Sequence, residues 1–392
     1  MRTYRELLRA PEFAPLFVAT SAHVAASTVS GLALGVLVYG ATRSPLLAAL
    51  SMFGPSLAQV AGAAALLSAA DRLPPRAALS GIALVFGVGT AVLAVPGLPV
   101  GAVFAVVLGL GLVASLNGGV RWGLLNEILP REGYLLGRST MNMTAGLLQI
   151  CGYAAGGVLV AALSPRGALL AGAALYLAEA AVARWGLSAR PPRDTGRPSV
   201  TATWRANARL WSSVPRRYVF LALWVPNGLI VGCESLFVPY APEHAGLLFA
   251  VAAAGMLAGD VLAGRFVPAR WRVRLGAPMR LLLAAPYLVF AFRPGLTVAA
   301  LAVGVASVGY AASLLLQERL MALTPEELSG HALGLHSSGT LTMQGVGAAL
   351  AGAIAQVTSA ATAMAAMAVV SVAVTLALAG GLRPAPASTA AG

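Results

Sequence analysis

Long apolar stretches of this sequence contain several ionisable side chains, among them His23, Glu179, Glu234 and Asp260. An ionised group at the centre of a bilayer costs roughly 2.5–3.5 kcal/mol, so such residues are usually paired, neutral or functional. Glu234 is the first candidate for binding a proton, because the apolar run 230–237 around it would desolvate the carboxylate and favour the neutral acid. The other interpretation of Glu234 is a hydrogen-bonded carboxyl group that holds helices together.

The remaining three ionisable residues each have two interpretations. Asp260 stands about one helical turn before Arg265, so an ion pair at a gate competes with proton or substrate binding. His23 could change its charge near neutral pH, although a lone helical histidine is also compatible with simple packing. Glu179 fits either the interior of a helical bundle or a position near lipid headgroups.

Uncharged polar and aromatic side chains in the same stretches could face a cavity. Apart from Arg121, no cationic cluster lies in the middle of these stretches, which favours an apolar or amphipathic ligand that is uncharged or cationic. The candidates for lining such a cavity are Tyr39, Gln59, Asn117, Asn142, Gln149, Trp224, Asn227, Tyr240 and Gln344.

The sequence argues against an enzyme, a metal and a cofactor. It contains no His-Glu-x-x-His, Gly-x-Ser-x-Gly or nucleotide-binding loop, and only four histidines. His331 and His336 are near each other, but no carboxylate stands at metal-ligand spacing from them. Cys151 and Cys233 each lie in an apolar stretch, so a disulfide framework is not expected.

The composition predicts an all-α integral membrane protein. Of 392 residues 58% are hydrophobic and 10% charged, with a mean hydropathy of +0.82, whereas soluble domains carry roughly 25% charged residues. About twelve apolar stretches are long enough to cross a bilayer. They are predicted at 13–41, 45–70, 77–96, 99–126, 139–163, 167–187, 218–240, 245–265, 276–293, 296–319, 331–356 and 360–382.

The basic residues predict the orientation of these spans. All 26 are arginine, and most fall on the segments that share a side with the N-terminus, including the basic linker 188–217. An excess of positive charge marks the cytoplasmic side, so both termini are expected there and nucleic-acid binding is not. The lack of lysine with abundant Ala and Gly indicates a GC-rich bacterial genome, and hence a bacterial cytoplasmic membrane. No cleavable signal peptide is expected.

Two segments outside the spans carry their own predictions. Within the linker, Val200, Trp204, Ala208 and Trp211 could share one face of an amphipathic helix lying in the interface, and a solvated disordered linker is the alternative. The tail 384–392 is expected to be disordered.

Short matches recur in order when the chain is compared with itself. Pro96-Gly97-Leu98 corresponds to Pro294-Gly295-Leu296, and Ala114-Ser115-Leu116 to Ala312-Ser313-Leu314. Collinear matches over two sets of six spans indicate two halves in the same orientation, which is an architecture of alternating-access carriers. The predicted divisions are 1–187, the linker 188–217, and 218–383.

The loop after the second span carries a further pattern. Asp71, Arg72 and Arg76 match a loop motif of Gly, three residues, Asp-Arg, one residue and Gly, followed by basic residues, while Leu67 and Pro74 stand where glycines would be. In this, and over nearly its full length, the chain resembles the major facilitator superfamily. The resemblance implies that Asp71, Arg72 and Arg76 belong to a cytoplasmic gate; an ordinary interfacial ion pair is the alternative.

Two further features fit the resemblance in part. Gly152, Gly156 and Gly157 match the end of a glycine-rich antiporter motif in the fifth span, without its proline and its upstream glycines, and they fit close helix packing equally well. Arg121 and Glu127, at the expected cytoplasmic end of the fourth span, join the gate residues. By resemblance, Arg121 could assist proton coupling.

Together these features are most similar to the drug and macrolide efflux branch of that superfamily. The resemblance implies a monomeric, proton-coupled exporter of small lipophilic or amphipathic molecules that works by alternating access. Small molecules, protons and the lipid bilayer are the expected partners. An importer or lipid carrier of the same fold, and a membrane enzyme, are the alternatives.

Overall fold

The computed structural model describes residues 6–7, 9–66, 73–192 and 200–382. Asp71 and Arg72 of the expected gate lie outside the described residues, as does the tail 384–392. In the described ranges the regular structure is helical throughout.

In the described ranges the long helices of the first half are α1 (Phe13–Thr42), α2 (Pro45–Leu66), α3 (Pro75–Leu93), α4 (Val100–Ile128) and α5 (Arg131–Gly186). Proline begins α2 and α3, where its missing N–H costs nothing. Helix α5 is broken at Ser164, whose φ of 81° is non-helical, and Pro165 follows. We call residues 131–163 its first arm and residues 165–186 its second arm.

The second half contains a linker helix and a larger number of shorter helices. The turn at Ser235 and the 3₁₀ segments Ala285–Phe292 and Gly309–Ala311 interrupt what would otherwise be continuous spans. The helices are α6 (Val200–Ser212), α7 (Val214–Glu234), α8 (Phe237–Tyr240), α9 (Ala245–Phe266), α10 (Ala269–Ala284), α11 (Leu296–Val308), α12 (Ala312–Ala322), α13 (Ser329–Val357) and α14 (Ala360–Ala379).

The length of the apolar helices makes this a multi-pass membrane protein. Within the described ranges, 11 helical segments are long and apolar enough to cross a membrane. One of them, Leu136–Gly186, has 51 residues, far more than the roughly 20 residues that span a bilayer. Its break at Ser164 divides it into two membrane-length arms, which is consistent with the expected twelve spans.

The ninth span differs from its prediction. Helix α10 begins at Ala269 rather than near residue 276, because the arginine-rich segment before the apolar run is also helical. Arg280 therefore lies about 16 Å along the helix and is 0% exposed.

The helices pack into two halves that meet mainly along two pairs of helices. In the first half α1 and α3 pack on α5, and α2 packs on α4; in the second, α13 and α14 pack on α7, and α9 packs on α11. Contacts between the halves join α2 to α13 and α5 to α9.

The glycines of α5 permit two of these close approaches. An added Cβ at Gly152 would lie 2.0 Å from the Thr28 hydroxyl of α1, and one at Gly156 would lie 3.4 Å from Val29 Cα. Gly157 faces Gly246 of α9, and a Cβ there would lie 3.3 Å from Gly246 Cα. Small residues at this spacing allow helices in membranes to approach backbone to backbone.

The two ends of the bundle differ. The turns 43–44, 94–99, 241–244, 293–295 and 358–359 lie at one end, which we call the far end, and α6 lies at the other, the linker end. The halves are closed at the far end, where the Ser44 hydroxyl donates to Gln356 Oε1 at 2.8 Å and Gly157 meets Gly246. The repeated Pro-Gly-Leu segments both begin in far-end turns.

The linker helix α6 docks on the second half. Ala206 and Leu210 are buried, and the Trp211 ring stacks on Trp224 of α7 with centroids 5.8 Å apart. The guanidinium of Arg216 donates to the carbonyls of Leu210 and Arg209, which satisfies the C-terminal end of the helix.

The face of α6 that packs on the second half contains Ala206 and Leu210, which are buried. Trp204 is 72% exposed and Ala208 is exposed as well. A helix lying in the membrane interface would present these two residues to lipid, and that interpretation of α6 stays a prediction.

Candidate functional site

A cavity of about 470 Å³ lies between the halves. The first half contributes Phe53 from α2 and Gln149 and Tyr153 from α5. The second half contributes residues from α7, α9, the 3₁₀ segment Gly309–Ala311, α12 and α13. Asp260, which lies toward the linker end, is exposed, as is Gln149 near the middle of the first arm of α5, whereas Glu234 at the other extreme is 7% exposed. The cavity therefore runs from the linker end to a buried carboxyl group.

The buried end of the cavity is built from α7 and the 3₁₀ segment after α11. Glu234 is the last residue of α7, and the hydroxyl of Tyr310 donates to its Oε1 at 3.0 Å. Tyr153 and Phe249 stack at 4.8 Å beside it and also line the cavity. A carboxyl group held by one hydrogen bond among aromatic rings can be stable as the neutral acid and can also meet a ligand.

The mouth of the cavity carries a second carboxyl group. Asp260 lies on its wall with Gln317 and His336, and the Thr340 hydroxyl lies 3.4 Å from His336 Nδ1. No ion pair joins Asp260 to Arg265 in the described part of the chain. The wall therefore presents carboxylates at both extremes, and its described lining includes no arginine or lysine.

A buried arginine lies behind this wall. Arg280 Nη2 donates to the Ser313 hydroxyl at 3.1 Å and to the Leu223 carbonyl at 3.3 Å, and Ser313 lines the cavity. Its Nε and Nη1 have no hydrogen-bond partner among the described residues. Sequence reasoning missed this residue because it placed the helix start too late; its position before the apolar run 281–284 was the available signal.

The first half contains a polar chain of its own. His23 Nδ1 lies 2.9 Å from Glu179 Oε2, and Asn117 Nδ2 lies 3.1 Å from His23 Nε2. Arg121 Nη2 donates to Asn117 Oδ1 at 3.1 Å. The structure thus brings together His23 and Glu179, which the sequence presented as two separate candidates.

Aromatic rings enclose that chain. The rings of Phe86 and Tyr176 lie 5.5 and 5.4 Å from the His23 ring, and Glu179 is 3% exposed. None of the four residues His23, Glu179, Asn117 and Arg121 lines the central cavity. Asn117, expected at the cavity, is instead a link between histidine and arginine.

Glu127 belongs to a cluster at the linker end rather than to a pair with Arg121. Arg190 Nε lies 3.6 Å from Glu127 Oε2, and Arg190 Nη1 lies 2.5 Å from Glu12 Oε2. Burial raises the pKa of Glu12, but hydrogen bonds from Arg190 and Ser188 outweigh it and leave that pKa below its ordinary value. The cluster ties the start of α1 and the end of α4 to the chain after α5.

Of the other residues expected at a cavity, some line the central cavity and others lie elsewhere. Gln149, Asn227 and Gln344 line the cavity, and Gln344 Nε2 donates to Asn227 Oδ1 at 3.4 Å. Trp224 donates to the His336 carbonyl at 3.1 Å and stacks on α6. The remaining four are elsewhere: Tyr240 donates to the Pro294 carbonyl at the far end, Tyr39 packs on the core of the second half, Gln59 is partly buried, and Asn142 is exposed.

Arg76 of the expected gate lies on the outer surface between α3 and the second arm of α5. In the described residues, no group of three or more histidine, cysteine, aspartate or glutamate side chains could hold a metal ion.

No protein-family model matches the sequence, and no curated protein matches it significantly. Among solved structures, the nucleoside transporter NupG superposes with a TM-score of 0.77 at 15% identity, covering 95% of this chain and 100% of that one. A bacterial homologue of the human lysosomal transporter Spinster, inward-facing and unoccupied, gives 0.73 at 13%, covering 95% and 96%.

A POT family transporter in complex with 5-aminolevulinic acid is also similar, with a TM-score of 0.74 at 12% identity over 93% of this chain and 94% of that one. At such identities the similarity is one of fold. The chain is an all-α membrane protein with the major facilitator fold.

Proposed function

We propose that this protein is a secondary active transporter that moves small amphipathic molecules by alternating access. The observation that carries the proposal is the cavity between the halves, closed at the far end and ending on the buried carboxyl group of Glu234. Carriers with two parallel halves place their substrate between the halves near the middle of the membrane. Rocking of the halves would then expose the same site at either end.

The cavity lining supports a neutral or cationic substrate. Phe53, Tyr153 and Phe249 provide apolar faces, and Glu234 and Asp260 provide two carboxyl groups. A volume of about 470 Å³ is within the range that holds small organic molecules. Lipophilic cations fit both the aromatic faces and the charge.

The position of Glu234 at the buried end of the cavity supports proton-coupled export. A cationic substrate and a proton would compete for this one carboxylate, and their exchange for each other is antiport. With the linker end in the cytoplasm, as the arginines predict, the inward proton gradient would drive the substrate out. The partial efflux motifs in the second loop and the fifth span favour the same direction.

The test is substrate-dependent proton flux in proteoliposomes that contain a pH-sensitive dye, with tetraphenylphosphonium and ethidium as probes. Wild-type protein is expected to couple probe movement to proton movement. Glu234→Gln should abolish uphill transport and leave probe binding measurable. Glu243→Gln, an exposed carboxyl of the far-end turn 241–244, is the matched control and should transport normally.

The assay is run with the proton gradient imposed in each of the two directions. A proton-coupled exporter moves the probe against the direction of proton movement, whereas a proton-coupled importer moves the probe in the same direction as the protons. Absence of coupled flux with every probe, from folded and inserted protein, would contradict the proposed substrate class. Retained uphill transport in Glu234→Gln would remove Glu234 as the proton carrier.

The His23–Glu179 pair is a second candidate for carrying the proton. His23 Nδ1 lies 2.9 Å from Glu179 Oε2, and the rings of Phe86 and Tyr176 enclose the histidine. The two side chains therefore form a largely buried acid–base pair within the first half. Uphill transport that survives Glu234→Gln and is lost in Glu179→Gln would place the coupling in the first half.

A further inference from the structure

A second cavity lies on the surface of the first half, at the linker end. It is a groove of about 510 Å³ between α3 and the second arm of α5. Leu84 on its wall is 51% exposed and Trp185 is 82% exposed, so the groove faces the surroundings of the bundle. It shares no lining residue with the central cavity.

Small side chains keep this groove open. Gly81 of α3 and Ala180 of α5 line it, and a Cβ added at Gly81 would have no heavy atom within 4 Å. An open apolar groove on a membrane-spanning surface is filled by the acyl chain of a lipid. The groove therefore leaves open space for an acyl chain to lie against Leu84.

Two arginines mark the linker end of the groove. Arg76 and Arg184 both line it, one on each helix. Neither forms an ion pair with a residue in the described ranges, although Arg272 and Arg190 elsewhere do so. Trp185 follows Arg184 directly, and tryptophan is the residue typical of the level of the lipid headgroups.

We propose that this groove binds an anionic phospholipid. The phosphate would lie between the guanidinium groups of Arg76 and Arg184, with Trp185 at the glycerol level and one acyl chain against Leu84. Guanidinium groups recognise a phosphodiester by charge-assisted hydrogen bonds, and two of them at one end of the groove favour a net negative headgroup over a zwitterionic one. A free phosphate would leave the apolar part of the groove unused.

The test uses the purified full-length protein in detergent and native mass spectrometry. Dioleoyl phosphatidylglycerol and dioleoyl phosphatidylcholine are added separately, so that only the headgroup differs. Wild-type protein is expected to retain one phosphatidylglycerol in preference to phosphatidylcholine. Arg76→Gln and Arg184→Gln should each weaken phosphatidylglycerol binding about fivefold, since one basic residue near an anionic surface contributes on the order of 1 kcal/mol, which corresponds to that factor.

Two variants control for charge and for shape. Arg205→Gln removes an exposed linker-end arginine of α6 that does not line the groove, and it should bind as wild type does. Gly81→Leu fills the groove but keeps both arginines, and it should also weaken binding. Thermal unfolding of each variant shows that the fold is intact.

Equal retention of the two lipids by wild-type protein would overturn the proposal. So would unchanged binding in the Arg76→Gln, Arg184→Gln double variant. Complete displacement of the lipid by millimolar inorganic phosphate would also overturn it, since the acyl chain would then contribute nothing. None of these outcomes depends on whether the central cavity transports a molecule.

Discussion

The contact between Gly157 and Gly246 closes the far end, and one methyl group placed there tests whether closure is one state of a cycle. A Cβ on Gly246 would lie 2.7 Å from Gly157 Cα and 2.8 Å from the Tyr153 carbonyl oxygen. Carbon atoms at rest are about 3.5–4.0 Å apart, so Gly246→Ala must push α9 and α5 apart by about 1 Å.

The size of the effect follows from the cost of overpacking. An extra methyl group in a well-packed contact costs about 1–3 kcal/mol, and this cost falls only on the state in which the far end is closed. The ratio of far-end-open to far-end-closed molecules should therefore rise by about 5- to 150-fold. Transport should slow, because the closed state is disfavoured in every cycle.

Distances between spin labels on the two halves report this ratio. Labels at Ala41→Cys and Glu243→Cys lie on far-end segments of different halves, and both positions are exposed; the two native cysteines are replaced by alanine. We expect Gly246→Ala to add a longer distance to the distribution. Gly101→Ala is the matched control, because a Cβ there has no heavy atom within 4 Å.

Two results would refute this reasoning. The first is an unchanged distance distribution in folded Gly246→Ala, which would mean that the far end does not open. The second is an equal shift in Gly101→Ala, which would mean that the added methyl group does not act through the Gly157 contact.

Two further predictions concern stability. Gly152→Ala should destabilise the protein by about 1–3 kcal/mol, because the new Cβ would lie 2.0 Å from Thr28 Oγ1; Thr28→Ala should restore much of the loss in thermal unfolding, and no rescue would contradict a direct clash. Glu12→Gln should lower stability at pH 7 by up to about 1 kcal/mol. Since hydrogen bonds to Arg190 and Ser188 overcome burial and depress the pKa of Glu12, its contribution is present above its unfolded-state pKa and lost as pH falls through the folded one. The difference between Glu12→Gln and wild type should therefore vanish in acid, and a constant difference down to pH 3 would contradict this.

The helical membrane fold could be predicted because each membrane span depends on the local composition of the sequence. Apolar runs of bilayer length, separated by short polar or proline-containing turns, placed most helices close to their observed bounds. The break at Ser164 was foreseen for the same reason, since Pro165 stands between two apolar runs. The start of α10 was misplaced because its first turns are polar and helical at once, and hydropathy reports only the polarity.

The pairing of polar residues could not be predicted in this way. His23 and Glu179 are 156 positions apart and Glu234 and Tyr310 are 76 apart, so only the folded packing of distant helices brings them together. Single residues in apolar stretches were nevertheless a useful signal, because a buried charge must find a partner. Arg280 carried that signal too, but an error of seven residues in a helix boundary concealed it.

The short turns of the far end determine where an antibody fragment or another fiducial can bind this protein. The longest of them covers residues 94–99, and two consist only of residues 43–44 and 358–359. An antibody fragment raised against that side would find almost no raised epitope. A fiducial for electron microscopy should therefore be attached at the opposite side, where α6 is fixed to the bundle through the Trp211–Trp224 stack and presents Trp204 and Arg205 outward.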